Sequence, residues 1–244
     1  MKLSTWLSVA LAATFTTLST DASAKVREDF ERVVPFSAGG SFEIRNSNGS
    51  IHVKTWDEDT VRIEAEKEAK SKDHLDDIEI VIEGSGDLVS VETVHRRRSN
   101  RGKVNYVISI PADANVNVTT ANGTVAIKGI HGHVVARSTN GSVKVEDIVG
   151  DIDARTTNGS IRARYDRAND GSHTFKTTNG SVRIYLPSDA GGDFEANTVN
   201  GSINVDFATN LTRTSRRHMR GSFGDGGGSF EIETVNGSVK ILPN

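Results

Sequence analysis

An Asn-Gly motif that recurs seven times constrains the fold of this 244-residue chain more than any other feature. Each copy continues with Ser or Thr and then Val or Ile. The copies begin at Asn48, Asn122, Asn140, Asn158, Asn179, Asn200 and Asn236. Consecutive copies are separated by 74, 18, 18, 21, 21 and 36 residues. Two intervals of 18, two of 21 and one of twice 18 indicate a structural repeat of about 18 residues.

Apolar residues flank every motif at alternate positions. Four residues before the Asn stand Ile44, Val118, Ala136, Ala154, Phe175, Ala196 and Ile232. Three and five residues after it, the apolar pattern continues, for example at Val143 and Val145. Six of the seven copies also have Thr or Ser two residues before the Asn. Because alternation with a period of two is typical of strands with one buried face, the sequence predicts an all-β fold.

Two architectures satisfy this pattern. Asn-Gly is a strong turn signal because both residues tolerate positive φ, so successive hairpins would give an antiparallel meander or a β-sandwich. Alternatively, each unit of about 18 residues is one coil of a parallel, β-helix-like solenoid. A solenoid stacks identical residues above one another, whereas a meander requires only residues of the same class. The repeated Thr, Asn and Val therefore favour the solenoid, and the small Ala136, Ala154 and Ala196 suit a narrow interior.

Before the regular repeats, the chain shows a looser version of the same pattern. Strand-like stretches are Ser41–Arg45, Ser50–Thr55, Val61–Ala65, Ile78–Glu83, Leu88–Val94 and Val104–Ile110, and 70–77 could form a helical turn. Atypical end repeats are expected, since a solenoid must cap its exposed edges. We therefore expect residues 25–110 to form degenerate β repeats that are continuous, as one domain, with the regular repeat region 111–244.

The first 24 residues have the pattern of a secretory signal. Lys2 is followed by a short apolar run from Leu7 to Leu18 and by the small-residue cleavage pattern Ala22-Ser23-Ala24. Cleavage near Ala24 predicts a periplasmic or secreted protein with no transmembrane segment after signal removal. The absence of cysteine excludes disulfides and thiol-based metal or redox sites. A net charge of −3 and a pI near 6.2 argue against a nucleic-acid partner.

Three stretches carry a resemblance to a known family. They are residues 40–57, residues 107–116 leading into the repeated Thr-x-Asn-Gly-Ser-Val, and residues 228–239. Together they resemble a large bacterial family of adhesin-like secreted or membrane-tethered proteins whose domain has no known function. The resemblance covers about residues 30–242. It implies a β-helix-like fold and an extracytoplasmic location, and it implies no reaction and no cofactor.

Basic residues recur beside the corners of the middle repeats. Three residues before the Asn stand Arg137, Arg155 and Lys176, and four residues after it stand Lys144, Arg162 and Arg183. Stacked like charges are destabilising unless they are paired or screened. We hypothesise that these six residues bind an extended anionic polymer, such as an acidic polysaccharide or lipid-linked sugar phosphates. The alternative is that they keep the repeated strands soluble and prevent edge-to-edge association.

Catalytic signatures are sparse. Carboxylates occur in pairs on one side of predicted strands, at Asp151/Asp153, Asp193/Glu195 and Glu231/Glu233. Such pairs could support glycoside hydrolysis or hold Ca²⁺, although they are typical of a solvated face. A further basic cluster, from Arg213 to Arg220, precedes the glycine-rich stretch Gly224–Gly228 and suggests a mobile loop.

We therefore predict a non-enzymatic adhesin or envelope scaffold without catalytic residues, cofactor or metal site. Its expected partner is an anionic glycan or an envelope protein. The alternative is a polysaccharide lyase or glycosidase on a β-helix fold. The sequence does not determine the oligomeric state.

Overall fold

The computed structural model describes residues 25–96, 102–167 and 170–244, so the predicted signal lies outside the described residues. These residues form 19 strands and one short helix. The elements are β1 (Val26–Asn48), β2 (Ile51–Thr55), β3 (Thr60–Ala69), α1 (Lys72–Asp76), β4 (Ile78–His95), β5 (Gly102–Ile110), β6 (Asn115–Asn122), β7 (Val125–Lys128), β8 (Val134–Asn140), β9 (Val143–Glu146), β10 (Ile152–Asn158), β11 (Ile161–Arg164), β12 (Ser172–Asn179), β13 (Val182–Leu186), β14 (Gly192–Asn200), β15 (Ile203–Val205), β16 (Thr209–Thr214), β17 (His218–Phe223), β18 (Gly228–Asn236) and β19 (Val239–Pro243).

The strands build two layers, which we call sheet A and sheet B. Each Asn-Gly corner carries the chain from a strand of sheet B into a strand of sheet A. One coil is therefore a pair such as β6 and β7, and the coils stack through parallel pairing with identical residues in register. The fold is all-β and solenoid-like. The antiparallel hairpin alternative is wrong for these corners, because the strands on either side of each corner lie in different sheets.

The coils do not stack in sequence order. Sheet B runs β4-β1-β6-β8-β10-β12-β18-β14-β17-β16, and sheet A runs β1-β3-β5-β2-β7-β9-β11-β13-β19-β15. The last coil in the sequence, β18 and β19, lies between the two coils that precede it. Likewise the first coil, β1 and β2, is second in the stack behind β4 and β5. The coil of β18 and β19 is therefore enclosed by earlier coils, whereas the first part of β1 is the edge strand of sheet A.

The two ends of the stack contain the antiparallel strands. At one end, β3 and the first part of β1 extend sheet A, and at the other end β17 and β16 extend sheet B. The 36-residue interval is thus not two coils, because its middle part, residues 209–223, is the β16–β17 hairpin. The predicted mobile loop from Arg213 to Arg220 falls largely within the same hairpin. The helical turn predicted in residues 70–77 is confirmed by α1.

The interior is filled from alternate positions of both sheets, as the sequence predicts. The apolar residues four before each Asn are all buried, and so are those three and five after it in the middle coils. One inward position carries a polar ring: His173 occupies the place taken by Ile152 and Phe230 in the coils on either side. It is 1 % exposed and packs against Tyr165 and Phe230.

The corner glycines are required by contact between coils rather than by left-handed backbone. Of the seven, Gly49 alone has a positive φ. A Cβ atom on Gly159 would lie 2.1 Å from the carbonyl oxygen of Gly141, and one on Gly180 would lie 1.9 Å from that of Gly159. The expectation that Asn-Gly supplies positive φ is therefore wrong for six corners. Only glycine allows the stacked backbones to approach this closely.

Candidate functional site

The Asn side chains of the seven corners form one continuous hydrogen-bonded ladder. Asn122, Asn140, Asn158 and Asn179 each donate from Nδ2 to Oδ1 of the preceding Asn, at distances of 2.7–2.9 Å. Asn236 then donates to Asn179 at 2.7 Å, and Asn200 donates to Asn236 at 2.8 Å. The side-chain amides are thus engaged in hydrogen bonds between coils. This structural role accounts for the presence of Asn in every copy of the motif.

In six of the seven corners, the Thr or Ser two residues before the Asn donates a hydrogen bond to the corner of the neighbouring coil. Thr156 Oγ1 donates to the Gly141 carbonyl at 2.8 Å, and Thr177 Oγ1 donates to the Gly159 carbonyl at 2.9 Å. The same bond recurs at Thr120, Ser138, Thr198 and Thr234. Since these hydroxyls are nearly buried, the bonds satisfy groups that would otherwise be costly to bury. The corners therefore act as a fixed scaffold for the side chains on either side of them.

The six predicted binding residues lie on both sides of this scaffold, in two rows on different sheets. Arg137, Arg155 and Lys176 are in register on sheet B, and we call them the sheet B row. Lys144, Arg162 and Arg183 are in register on sheet A, and Lys240 of β19 continues their line. We call these four residues the sheet A row. The structure thus groups the predicted residues in threes and adds a seventh.

The sheet B row is neutralised by carboxylates of the same sheet. Asp153 accepts from Arg155 Nε at 2.6 Å and from Arg137 Nη2 at 3.1 Å. Lys176 Nζ lies 2.6 Å from Glu231 and 3.3 Å from Glu233. The hydrogen bond to Glu231 raises the pKa of Lys176, with Glu233 adding to the effect against partial desolvation. This row therefore presents little uncompensated charge.

The sheet A row has no such partners. Within the described ranges, none of its four cations forms an ion pair with a carboxylate. Lys144, Arg162 and Lys240 are exposed, and Arg183 is half-buried. The guanidinium carbon of Arg162 lies 5.9 Å from the centre of the Tyr185 ring, within cation–π range. Four cations therefore follow one another at the strand spacing of about 4.8 Å.

Sequence reasoning missed Lys240 and the carboxylate partners for different reasons. Lys240 stands four residues after Asn236, at the same phase as the other cations, so its spacing was a usable signal. It was not grouped with them because its repeat is the last in the sequence, while in the fold it adjoins Arg183. The pairing of Lys176 with Glu231 was missed for the same reason, because 55 residues separate the two in the sequence while their strands are neighbours in the fold.

A shallow groove of about 760 Å³ follows the sheet B row along the stack. One wall carries the row itself, and the other carries the residues directly before each Asn. These include Thr139, Thr157 and Thr178, followed by Val235 and Val199, which are 40 % and 52 % exposed. The groove is open and mixed in polarity, and Glu233 is part of its lining. A separate cavity of about 470 Å³ is lined by the carboxylate pairs Asp193/Glu195 and Glu231/Glu233.

Four of the six paired carboxylates form ion pairs or hydrogen bonds within the fold. Asp153, Glu231 and Glu233 hold the sheet B row, and Asp151 Oδ1 accepts the Ser172 amide at 2.7 Å. Asp147, near the end of β9, has a raised pKa because of desolvation and a hydrogen bond with Asp166, opposed by Lys128. In the part of the chain that the structure describes, no three His, Asp or Glu side chains are placed to hold a metal ion.

The family model named Toastrack DUF4097 matches residues 25–242. This chain belongs to that Toastrack family. The family resemblance expected from the three sequence stretches is thereby confirmed.

Among solved structures, this Toastrack chain is similar to a "putative cell adhesion protein" from Clostridium sporogenes. The two share 13 % identity with a TM-score of 0.51, over 88 % of this chain and all of that one, so the likeness concerns the fold. A "putative adhesin" from Bacteroides fragilis follows at 8 % identity and a TM-score of 0.46, covering 87 % of this chain and 96 % of its own. A "putative lipid binding protein" from Parabacteroides distasonis has 11 % identity and a TM-score of 0.32, with coverages of 88 % and 96 %.

No curated protein matches the chain in sequence. Within residues 25–96, 102–167 and 170–244, no helix has the length and apolar character needed to cross a membrane.

Proposed function

We propose that this Toastrack protein is a non-enzymatic, extracytoplasmic adhesin or scaffold whose sheet A row binds a linear polyanion. One observation carries the proposal: Lys144, Arg162, Arg183 and Lys240 stand in register without an ion pair among the described residues. Like charges on adjacent strands destabilise the folded protein. An anionic ligand that pairs with them removes this repulsion, which favours binding. The name of the Clostridium sporogenes structure agrees with such an adhesive role.

The spacing of the row favours one class of polyanion. Adjacent cations are separated by one strand spacing, about 4.8 Å. A polyuronate, which carries one carboxylate on each sugar, offers charges at a comparable interval along a straight chain. Tyr185 lies beside Arg162 and offers a ring on which a sugar can rest. We therefore take an acidic polysaccharide as the preferred ligand and its repeated carboxylates as the recognised groups.

Binding through such a row is the sum of weak contacts. Each exposed ion pair contributes about 0.2–1 kcal/mol and is weakened by salt. Four pairs on one rigid face give useful affinity only for a polymer that meets all of them together. This requirement distinguishes a polyuronate from its monomer, which can occupy one position at a time.

The test compares two triple variants that remove the same charge from the two rows. Lys144→Gln/Arg162→Gln/Arg183→Gln alters the sheet A row, and Arg137→Gln/Arg155→Gln/Lys176→Gln alters the sheet B row. Polygalacturonate is titrated into each protein by calorimetry at low and at physiological salt. We expect about a tenfold weaker affinity for the first variant, which is about 1.4 kcal/mol, and little change for the second. Equal loss in both variants would show that net charge alone drives binding.

The enzymatic alternative requires a separate measurement on the same protein. The carboxylates Asp153, Glu231 and Glu233 are held in ion pairs, which leaves them poorly placed as a general acid and base. Incubation of the protein with polygalacturonate should release neither reducing ends nor unsaturated sugars. Release of either product above that of a heat-denatured sample would establish a glycosidase or a lyase instead.

A further inference from the structure

The C-terminal coil, formed by β18 and β19, occupies a slot inside the stack. β18 pairs in parallel with β12 on one side and with β14 on the other. β19 does the same between β13 and β15. Among the described residues, this coil is joined to the rest of the fold through residues 224–227 alone, so it can leave the slot as a unit. Its departure would uncover two strand edges in each sheet.

The slot is specific for a coil of the same kind. Asn236 bridges Asn179 and Asn200 in the ladder. Thr234 Oγ1 donates to the Gly180 carbonyl, and a Cβ at Gly237 would lie 1.9 Å from that same oxygen. An inserted segment therefore needs Thr, Asn and Gly at these places to satisfy both sides. The natural source of a second such segment is another copy of this chain.

The connection to the coil is a short, glycine-rich reversal. Gly224, Gly226 and Gly227 all have positive φ, in a reversal that joins β17 to β18. A Cβ at Gly227 would lie 2.1 Å from the Gly191 carbonyl oxygen, so the reversal is packed tightly against the neighbouring loop. A short hinge loop is the place about which a terminal element is exchanged between copies. Opened fully, residues 224–227 span about 14 Å, enough to reach an adjacent molecule.

One face of the slot is also imperfectly satisfied. His173 of β12 faces Phe230 of the C-terminal coil at 4.9 Å between ring centres. Both ring nitrogens of His173 and the hydroxyl of Tyr165 are buried without a hydrogen-bond partner. Unsatisfied buried polar atoms cost free energy, so this seam is weaker than the apolar seams between the middle coils. Opening of the stack should therefore begin here.

We propose that two copies of this chain exchange their C-terminal coils, each coil filling the slot between β12–β13 and β14–β15 of the other copy. The exchanged dimer keeps the pairing of each coil with the strands on both sides of its slot, which is why such exchange costs little. It also places two sheet A rows on one particle.

The test uses cysteine pairs in the full chain, which has no cysteine of its own. Thr174 of β12 and Glu231 of β18 are in register, at a separation suited to a disulfide. One preparation carries Thr174→Cys and a second carries Glu231→Cys. The two are mixed at high concentration, natively and after joint refolding from guanidinium, and then oxidised. A disulfide between copies requires the coil of one chain in the slot of the other.

Two matched proteins complete the experiment. Asp153→Cys and Thr174→Cys, on separate copies, form an equivalent pair between internal strands β10 and β12 and report random collision. The double variant Thr174→Cys/Glu231→Cys locks the coil within its own chain and should remain monomeric. We expect a cross-linked dimer several-fold above the collision pair, together with its absence in the locked protein. A dimer yield equal to that of the collision pair, both natively and after refolding, would overturn the proposal.

Discussion

The side-chain amide of Asn236 donates to Asn179 Oδ1 at 2.7 Å, although Asn200 lies between these two residues in the sequence. Asn200 instead caps the ladder, donating to Asn236 at 2.8 Å. This one inversion shows that the terminal coil is enclosed by earlier coils. The interior rungs of the ladder therefore make bonds on both sides, whereas the rung at Asn200 makes its bond on one side.

Substitution of an interior rung should cost more stability than substitution of the end rung. Asn158→Ala removes the bonds to Asn140 and from Asn179, so we expect a loss of about 1–2 kcal/mol in the free energy of unfolding. Asn200→Ala removes one bond and should cost about half as much. Denaturant titration of both variants measures the difference. Equal losses would mean that each amide stabilises only its own turn and that the hydrogen bonds between coils add no stability.

Alanine at a corner glycine should be more damaging than alanine at a glycine with positive φ. In Gly159→Ala, the new Cβ would stand 2.1 Å from the Gly141 carbonyl oxygen, so two coils must separate. We expect a cost of about 2–3 kcal/mol. Gly226 has a φ of +84 and open space around it, and Gly226→Ala should cost about 1 kcal/mol. Thermal or denaturant unfolding measures both losses. A larger loss for Gly226→Ala than for Gly159→Ala would indicate that left-handed backbone, rather than contact between coils, requires the glycine.

The sequence predicted the repeat positions well because they depend on local alternation. The buried residues, the corner positions and the parallel register all follow from the spacing of Asn-Gly. The order of the coils does not, because Asn179 would form the same bond with Asn200 as with Asn236. The same ambiguity concealed the neutralisation of Lys176 by Glu231. The role of the corner glycine was also hidden, since its crowding comes from the next coil and not from its own turn.

Burial of His173 should make the protein less stable as the pH falls. Desolvation lowers the pKa of this ring from 6.5 to about 4, against a smaller opposing effect of Asp151. The unfolded chain therefore takes up the proton first, and stability is lost as the pH falls from about 6.5 to about 4. A difference of this size corresponds to about 3 kcal/mol. Below that range both states are protonated, and this contribution no longer changes.

The variant His173→Phe isolates this effect from the titration of carboxylates. Unfolding free energies of the two proteins should diverge steadily between pH 6.5 and 4, with the variant the more stable. His131→Phe, at an exposed position, is the matched control and should follow the parent protein. If the unfolding free energies of His173→Phe and the parent change in parallel with pH, the His173 ring is not held neutral by burial.

Loss of charge from the two basic rows should change stability in opposite directions. Lys144 lies beside Arg162, so Lys144→Gln relieves repulsion and should stabilise the protein at low salt. Arg155 contacts Asp153 at 2.6 Å, and Arg155→Gln should destabilise it. Each change should be about 0.5 kcal/mol and should shrink as salt is added. Two shifts of the same sign in denaturant titrations would argue against an uncompensated sheet A row.

Deamidation should begin at Asn200 during storage at mildly alkaline pH. The reaction requires attack by the backbone nitrogen of the following glycine on the Asn side chain. At the other six corners this N–H donates to the Asn carbonyl of the adjoining coil, as in Gly159 to Asn179 at 3.0 Å. Within the described residues, Gly201 has no such acceptor, since its coil is the last in the stack. Peptide mapping by mass spectrometry should detect aspartate or isoaspartate at Asn200 before any other corner. Earlier conversion at Asn140 or Asn158, which lie in the middle of the stack, would show that the interior hydrogen bonds give no protection.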